Sequence, residues 1–309
     1  MNGRHADSVL QVQLLAAGGY RLALLGPEPQ QHTALLRHRL PGLQPFVQLA
    51  ERQLRHLGHH EASFALQLHD EQPRPLCFRF DAPLQADGLG PLIPDPYVLA
   101  SEGYAGLRAR FAREPLPPWH ERLPMAIWRG SSTGSAELSL ASLAENRRYQ
   151  LCRRSLALPH RLDARLSALV QCPDPAGVGE RLHSEGLLAP RLDPWHLALH
   201  RWIVEIDGNV NSWGLLWKLL SGSCVLRVGS SRRQWYHHRL EPWRHVVPVA
   251  TDLGDLEAVL DWCHRHSSAC AAIAQAGQQL GLTVIAELEP TMAEAVGVYA
   301  ATWLRTPAA

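Results

Sequence analysis

DGNVNSWGLLWKLLSGSCVLRVGSSRRQWYHHRLEPWRHVVPV, residues 207–249, is the stretch that decides the fold. The largely apolar run 203–206 before it has strand length, and 207–211 is a polar, glycine-containing loop. A helix is expected from Ser212 to about Leu220, then a return turn at Ser221, Gly222 and Ser223 and a second strand over 224–228. Strand, loop, helix and strand in that order form a crossover unit of a parallel sheet. Ser212 reads as the helix N-cap, and unpaired N–H groups with the positive end of the helix dipole favour a phosphate there. An ordinary tight turn of Gly and Asn has the same composition, so the loop alone does not decide.

Working outward, 246–249 reads as a buried strand and 253–280 as one amphipathic helix. Upstream, 125–128 is a short strand that ends in Arg129-Gly130-Ser131-Ser132-Thr133-Gly134-Ser135, followed by a helical region over 138–156. Strands alternating with helices predict an α/β domain with a mainly parallel sheet. All ten tryptophans lie at or after Trp119, and Pro115, Pro117 and Pro118 stop the helix expected over 104–113. The expected division is therefore an N-terminal domain over 1–118, a nucleotide-binding domain over 119–290 and a C-terminal helix over 291–309 that packs back on the first. In the N-terminal part, LLAAGGYRLALLGPEP (14–29) suggests a strand and a turn. A helix broken by Pro41 and Pro45 is expected over 31–57, and a short strand over 76–80.

Composition bounds the function. At 309 residues, 46% hydrophobic and 19% charged, the chain is globular, and no apolar run approaches the ~20 residues of a membrane span. No leader pattern opens the sequence, so a cytoplasmic location is expected, with peripheral membrane contact left open. A net charge of +1 argues against a nucleic-acid protein. Six cysteines without a Cys-x-x-Cys pair indicate neither a zinc knuckle nor a disulfide framework. Lys218 is the only lysine among the basic residues.

Four constellations bear on chemistry. Arg129 with Ser131, Ser132 and Thr133 in a glycine-flanked turn suits a diphosphate, because a guanidinium fork and exposed N–H groups match phosphate oxygens; a plain surface turn has the same residues. The 207–212 loop lacks the lysine and spacing of a Walker loop and the glycines of a dinucleotide fingerprint. No Asp-x-Asp pair occurs, His196 and His200 stand one helical turn apart without a glutamate ligand nearby, and His264 and His266 lie in a charged segment, so no metal site is expected. Asp95 in Ile93-Pro94-Asp95-Pro96-Tyr97, and Asp87 shortly before it, are carboxylates in rigid loops that suit a general base.

Together these pieces resemble glycosyltransferase family 90, the family of the protein O-glucosyltransferases and of microbial enzymes that modify lipopolysaccharide or capsule. The resemblance is carried by 128–134, by 148–152 followed by Leu162-Asp163-Ala164, and by 206–213. It continues through Ser221-Gly222-Ser223, Trp235-Tyr236, Pro242-Trp243-Arg244-His245 and Thr251-Asp252-Leu253. It implies a GT-B-like α/β fold, two facing Rossmann-like domains with parallel sheets. It also implies inverting, metal-independent transfer of a sugar from a nucleotide donor, typically a UDP-sugar, to a hydroxyl of a glycan, lipopolysaccharide or lipid-linked acceptor, without a cofactor. Carried over, Arg129, Gly130, Ser131, Ser132 and Thr133 approach the donor from one loop, and Asp207, Gly208, Asn209, Asn211 and Ser212 from the other. Lys218, Arg227, Arg232 and Arg233 are the candidates to supply the cation lost where Gly214 replaces the family's arginine. Asp95 or Asp87 is the base, and Gln234 stands where the family has an acidic residue. These departures leave a second expectation, a catalytically impaired nucleotide-sugar-binding protein of the same fold.

Overall fold

The computed structural model describes residues 9–25, 29–68, 76–85 and 89–304, with backbone alone over 29–38. In chain order the elements begin with β1 (Val9–Leu14), β2 (Tyr20–Leu25), α1 (Pro29–His56), β3 (Ser63–Gln67), β4 (Cys77–Phe78), β5 (Ala82–Pro83), α2 (Pro96–Ala100) and α3 (Ala105–Arg113). Then come β6 (Leu123–Ser131), α4 (Arg147–Ala157), β7 (Leu162–Ala168), α5 (Pro175–Ser184), α6 (Pro194–Leu197), β8 (His200–Glu205), α7 (Leu215–Leu220) and β9 (Cys224–Val228). The last are β10 (Arg232–Arg233), β11 (Val247–Val249), α8 (Leu256–Arg265), α9 (Ser267–Ala286) and α10 (Leu288–Trp303).

The chain divides into two compact units. The first holds Met1–Ala105, Ser231–His238 and Val284–Ala309, and the second holds Gly106–Ser230 and Arg239–Thr283. The division is discontinuous in sequence, because Arg232 and Arg233 pair with Pro83 and Ala82 and so belong with the first unit. α10 belongs there too, where Tyr299 stacks on Phe78 at 4.4 Å.

The first unit's sheet has the order β2-β1-β3-β4. It is mixed and not all-parallel: β1 is antiparallel to both β2 and β3, and only β4 runs parallel to β3. Gly18 and Gly19, at φ 98° and 77°, make the β1–β2 turn, and a short hairpin imposes antiparallel pairing. α1 runs unbroken through Pro41 and Pro45. Both prolines are on its exposed side, while Leu43, Phe46, Val47, Leu49, Ala50 and Leu54 form one buried stripe. Burial of that stripe offsets the two hydrogen bonds that the prolines cannot donate.

The second unit is a five-stranded, wholly parallel sheet of order β11-β9-β8-β6-β7, as the alternating pattern predicts. One face carries Ala126, Trp128, Ala164, Trp202, Val204, Cys224 and Leu226 into a core closed by α4, α5, α8 and α9. The region expected as a single helix over 253–280 is two, because His266 leaves helical geometry at φ −118°, ψ 45°. α9 is long and apolar enough to cross a membrane by length and composition, which the sequence reading overlooked; its neutral glutamines interrupt the run without adding charge. Its Cys270, Ile273 and Ala274 lie in the core, so here it serves as a core helix. β7 was not expected as a strand, although its buried Leu162, Ala164 and Leu166 alternate with Asp163, Arg165 and Ser167 in the strand period.

Candidate functional site

The chain enters the second unit's sheet at β6, adds β7 on one side, then returns to add β8 on the other. Loops following β6 and β8 therefore diverge at the carboxyl ends of adjacent strands, the place where open parallel sheets bind ligands. Those two loops are 131–135 and 206–212, the ones the sequence singled out.

Arg148, on the first turn of α4, ties them together. Its Nη1 donates to Thr133 Oγ1 at 2.6 Å and to the Ser131 carbonyl at 3.0 Å. Its Nε donates to the Asp207 carbonyl at 3.0 Å and its Nη2 to the Ile206 carbonyl at 3.1 Å. The guanidinium also lies over the Trp128 ring at 5.6 Å. Burial lowers its pKa to about 10, against the opposing fields of Glu205 and Asp207, so it remains a cation at neutral pH.

Asn146 reinforces the first loop. Its Oδ1 caps α4 by accepting from the N–H groups of Arg148 and Tyr149, while its Nδ2 donates to the Ser132 carbonyl and Ser135 Oγ at 3.0 Å each. Asn209 joins the loops directly, accepting from the Gly134 N–H at 2.8 Å. Gly208 is required by close approach, because a Cβ there would collide with Thr133 Oγ1 and meet Arg148 Nη2 at 3.1 Å. Gly130 is similarly confined by the Trp128 ring.

The glycosyl transferase family 90 model matches residues 107–288, more than half of the chain. The chain belongs to that family. Uncharacterized protein 035R of Invertebrate iridescent virus 3 is 30% identical over 52% of this chain and 15% of its own length. Protein O-glucosyltransferase 2 of Danio rerio is 27% identical over 54% of this chain and 30% of its own length. The matches thus span less than a third of either relative. Among solved structures, Anabaena HepE in complex with UDP-glucose aligns over 63% of this chain and 52% of its own at a TM-score of 0.40 and 14% identity.

Several residues expected at the donor have other work in this family member. Arg129 points along the sheet, where its Nη2 meets Asp163 Oδ2 at 2.5 Å and its Nη1 donates to the carbonyls of Trp128 and Asp163. Lys218 is buried and paired with Glu205. Ser132 is buried, its hydroxyl donating to the Val170 carbonyl and accepting from the Val170 N–H. Thr133, Asp207, Gly208 and Asn209 are brought together. Asn211 is buried, its Oδ1 accepting from Ser230 Oγ at 3.5 Å, and Ser131 contributes its carbonyl to Arg148. Arg227 lies on β9 opposite Glu205.

The helix expected from Ser212 begins at Leu215, with Gly214 as its N-cap. Ser212 is not the cap; its hydroxyl accepts from the Gly214 N–H at 3.3 Å, and its own N–H donates to Asp207 Oδ1 at 3.3 Å. Trp217 explains Gly214, since a Cβ there would come within 2.9 Å of the indole Nε1.

Of the two aspartates, Asp87 lies outside the described residues. Asp95 is buried as the N-cap of α2, with Oδ1 accepting from the N–H groups of Tyr97 at 3.0 Å and Val98 at 3.1 Å. Arg148 and Asn146 are the residues that sequence reasoning missed as site builders. The available signal was a cap-forming Asn followed two residues on by an arginine, just after a Ser/Thr/Gly turn.

Proposed function

We propose that this chain transfers a sugar from a nucleotide donor, a UDP-sugar, to a hydroxyl of a glycan or similar acceptor, with inversion and without a metal. The observation that carries this reading is the pair of polar loops at the switch of strand order, tied by Arg148, in a chain of glycosyl transferase family 90. Inversion requires an acceptor oxygen to attack the anomeric carbon from the face opposite the nucleotide as the glycosidic bond to the diphosphate breaks. The acceptor proton passes to a carboxylate, for which Asp87 and Asp95 are the candidates, and the leaving diphosphate takes the electron pair. Its charge is met by N–H groups of the fixed loops, whose dipoles need not reorganise during the reaction.

The test is thermal stabilisation by a panel of UDP-sugars, followed by product analysis with the stabilising donor and a panel of hydroxyl acceptors. Stabilisation by none of the donors and no turnover with any of them would sink the proposal. A second reading, a binding protein without turnover, is favoured by one specific finding: two of the expected diphosphate cations, Arg129 and Lys218, are already paired with carboxylates. Donor binding with no transfer or hydrolysis across the panel would select it.

A further inference from the structure

Trp243 stands at the amino edge of the second unit's sheet, in the turn that precedes β11 and at the end opposite the two polar loops. It is half exposed, and its φ of 64° is left-handed, an unfavourable conformation for a bulky side chain. The turn is firmly held. The Trp243 N–H donates to the Val246 carbonyl at 2.7 Å, the His245 N–H to the Glu241 carbonyl at 2.9 Å, and the Glu241 N–H to His245 Nδ1 at 3.0 Å. Gly277 of α9 passes so near the turn that a Cβ there would lie 2.6 Å from the His245 carbonyl oxygen.

The turn thus holds an indole out to water. Behind it, Trp262 meets Trp243 edge to face at 4.8 Å, and His266 stacks on Trp262 at 4.9 Å with 21° between the rings. Arg244 and Glu241, both exposed and paired at 2.7 Å, flank the indole with hydrogen-bond donors and acceptors.

We propose that Trp243, backed by Trp262 and His266, is a second carbohydrate-binding platform, separate from the donor loops, for a pyranose whose axial C–H bonds form an apolar face. A β-linked glucose or xylose residue of an acceptor chain has that chemistry. Its C–H face lies on the negative face of the indole, while its equatorial hydroxyls reach the polar rim. The size of the patch favours a sugar over a protein partner, because one exposed indole matches one pyranose, whereas a stable protein interface covers about 800 Å² on each side. Holding a distal part of the acceptor would raise the effective concentration of its reacting end. The inference rests on the glycosyl-transfer reading above.

The experiment is saturation-transfer difference NMR on the full chain with cellohexaose and with xylohexaose, without nucleotide, comparing the wild type with Trp243→Asn and Trp243→Phe. Asn accepts left-handed geometry and removes the ring, and Phe keeps a smaller plate. Transfer to the sugar's axial protons is expected in the wild type, about tenfold less in Trp243→Asn, and an intermediate level in Trp243→Phe. UDP affinity by calorimetry is expected to be equal in all three. Absence of transfer to both oligosaccharides in the wild type, or undiminished transfer in Trp243→Asn, overturns the platform. Absence of UDP binding with the sugar response intact overturns instead the donor-loop reading.

Discussion

Arg148 and Asp207 are joined by a 3.0 Å hydrogen bond from the guanidinium Nε to the backbone carbonyl, so a side chain from the helix after β6 fixes the start of the loop after β8. Removing Arg148 leaves the carbonyls of Ser131, Ile206 and Asp207 to find other partners in a buried setting. Arg148→Ala should therefore lower stability by roughly 3 kcal/mol and weaken UDP binding more than the stability loss alone explains. Arg148→Lys keeps the charge but not the fork, so binding should stay poor. Urea unfolding and calorimetry on folded fractions check both; a tightly binding Arg148→Lys variant would show that charge, not bridging geometry, is what matters.

Arg129 carries a different prediction. Because it is held by Asp163 within the sheet, Arg129→Ala should destabilise the fold by ~2 kcal/mol, below the full range for a buried pair since Asp163 is partly exposed. Asp163→Asn should show a similar loss. A double-mutant cycle in urea measures the coupling, and an Arg129→Ala protein of unchanged stability with lost turnover would restore Arg129 to the donor.

At Asp95 the two roles separate by chemistry. Asn caps a helix about as well as Asp, so Asp95→Asn should fold like the wild type while losing any proton-accepting function. Asp95→Ala should lose ~1 kcal/mol through the cap alone. Turnover retained in Asp95→Asn assigns the base elsewhere, with Asp87→Asn the next variant to assay.

Acid sensitivity follows from two buried histidines, His200 and His245, and the half-buried His264. His200, His245 and His264 each have a pKa lowered first by burial, so the unfolded chain binds protons more readily than the native one. Their contribution is fully present above the unfolded value of about 6.5 and is lost as pH falls through the lower native values. Urea midpoints should drop between pH 7.5 and pH 5, and His200→Gln should flatten that slope. An unchanged slope in that variant would remove His200 from the account.

Much of the second unit was legible because its strands are short apolar runs between turn signals: 224–228 matches β9, and 246–249 lies within a residue of β11. The two polar loops were legible for the same reason, as breaks that strand periodicity forces. The helix start at Leu215 was not, because Ser212 has cap chemistry but its own N–H is taken by the Asp207 carboxylate at the loop's start, and Trp217 confines Gly214 at the loop's end. Nor was the fate of Arg129 and Lys218. A basic residue near a phosphate-shaped loop reads as a ligand contact until Asp163 and Glu205 are placed beside it.

The sequence by itself determined that this chain holds a parallel α/β unit with two polar loops at strand ends, since periodicity and turn residues act locally. Only the tertiary structure decided that Arg148, and not Arg129, joins those loops, and that 231–238 returns to the first unit. Both depend on contacts between residues tens to more than a hundred positions apart, and hydrogen-bond partners at that distance leave no local pattern in a single chain.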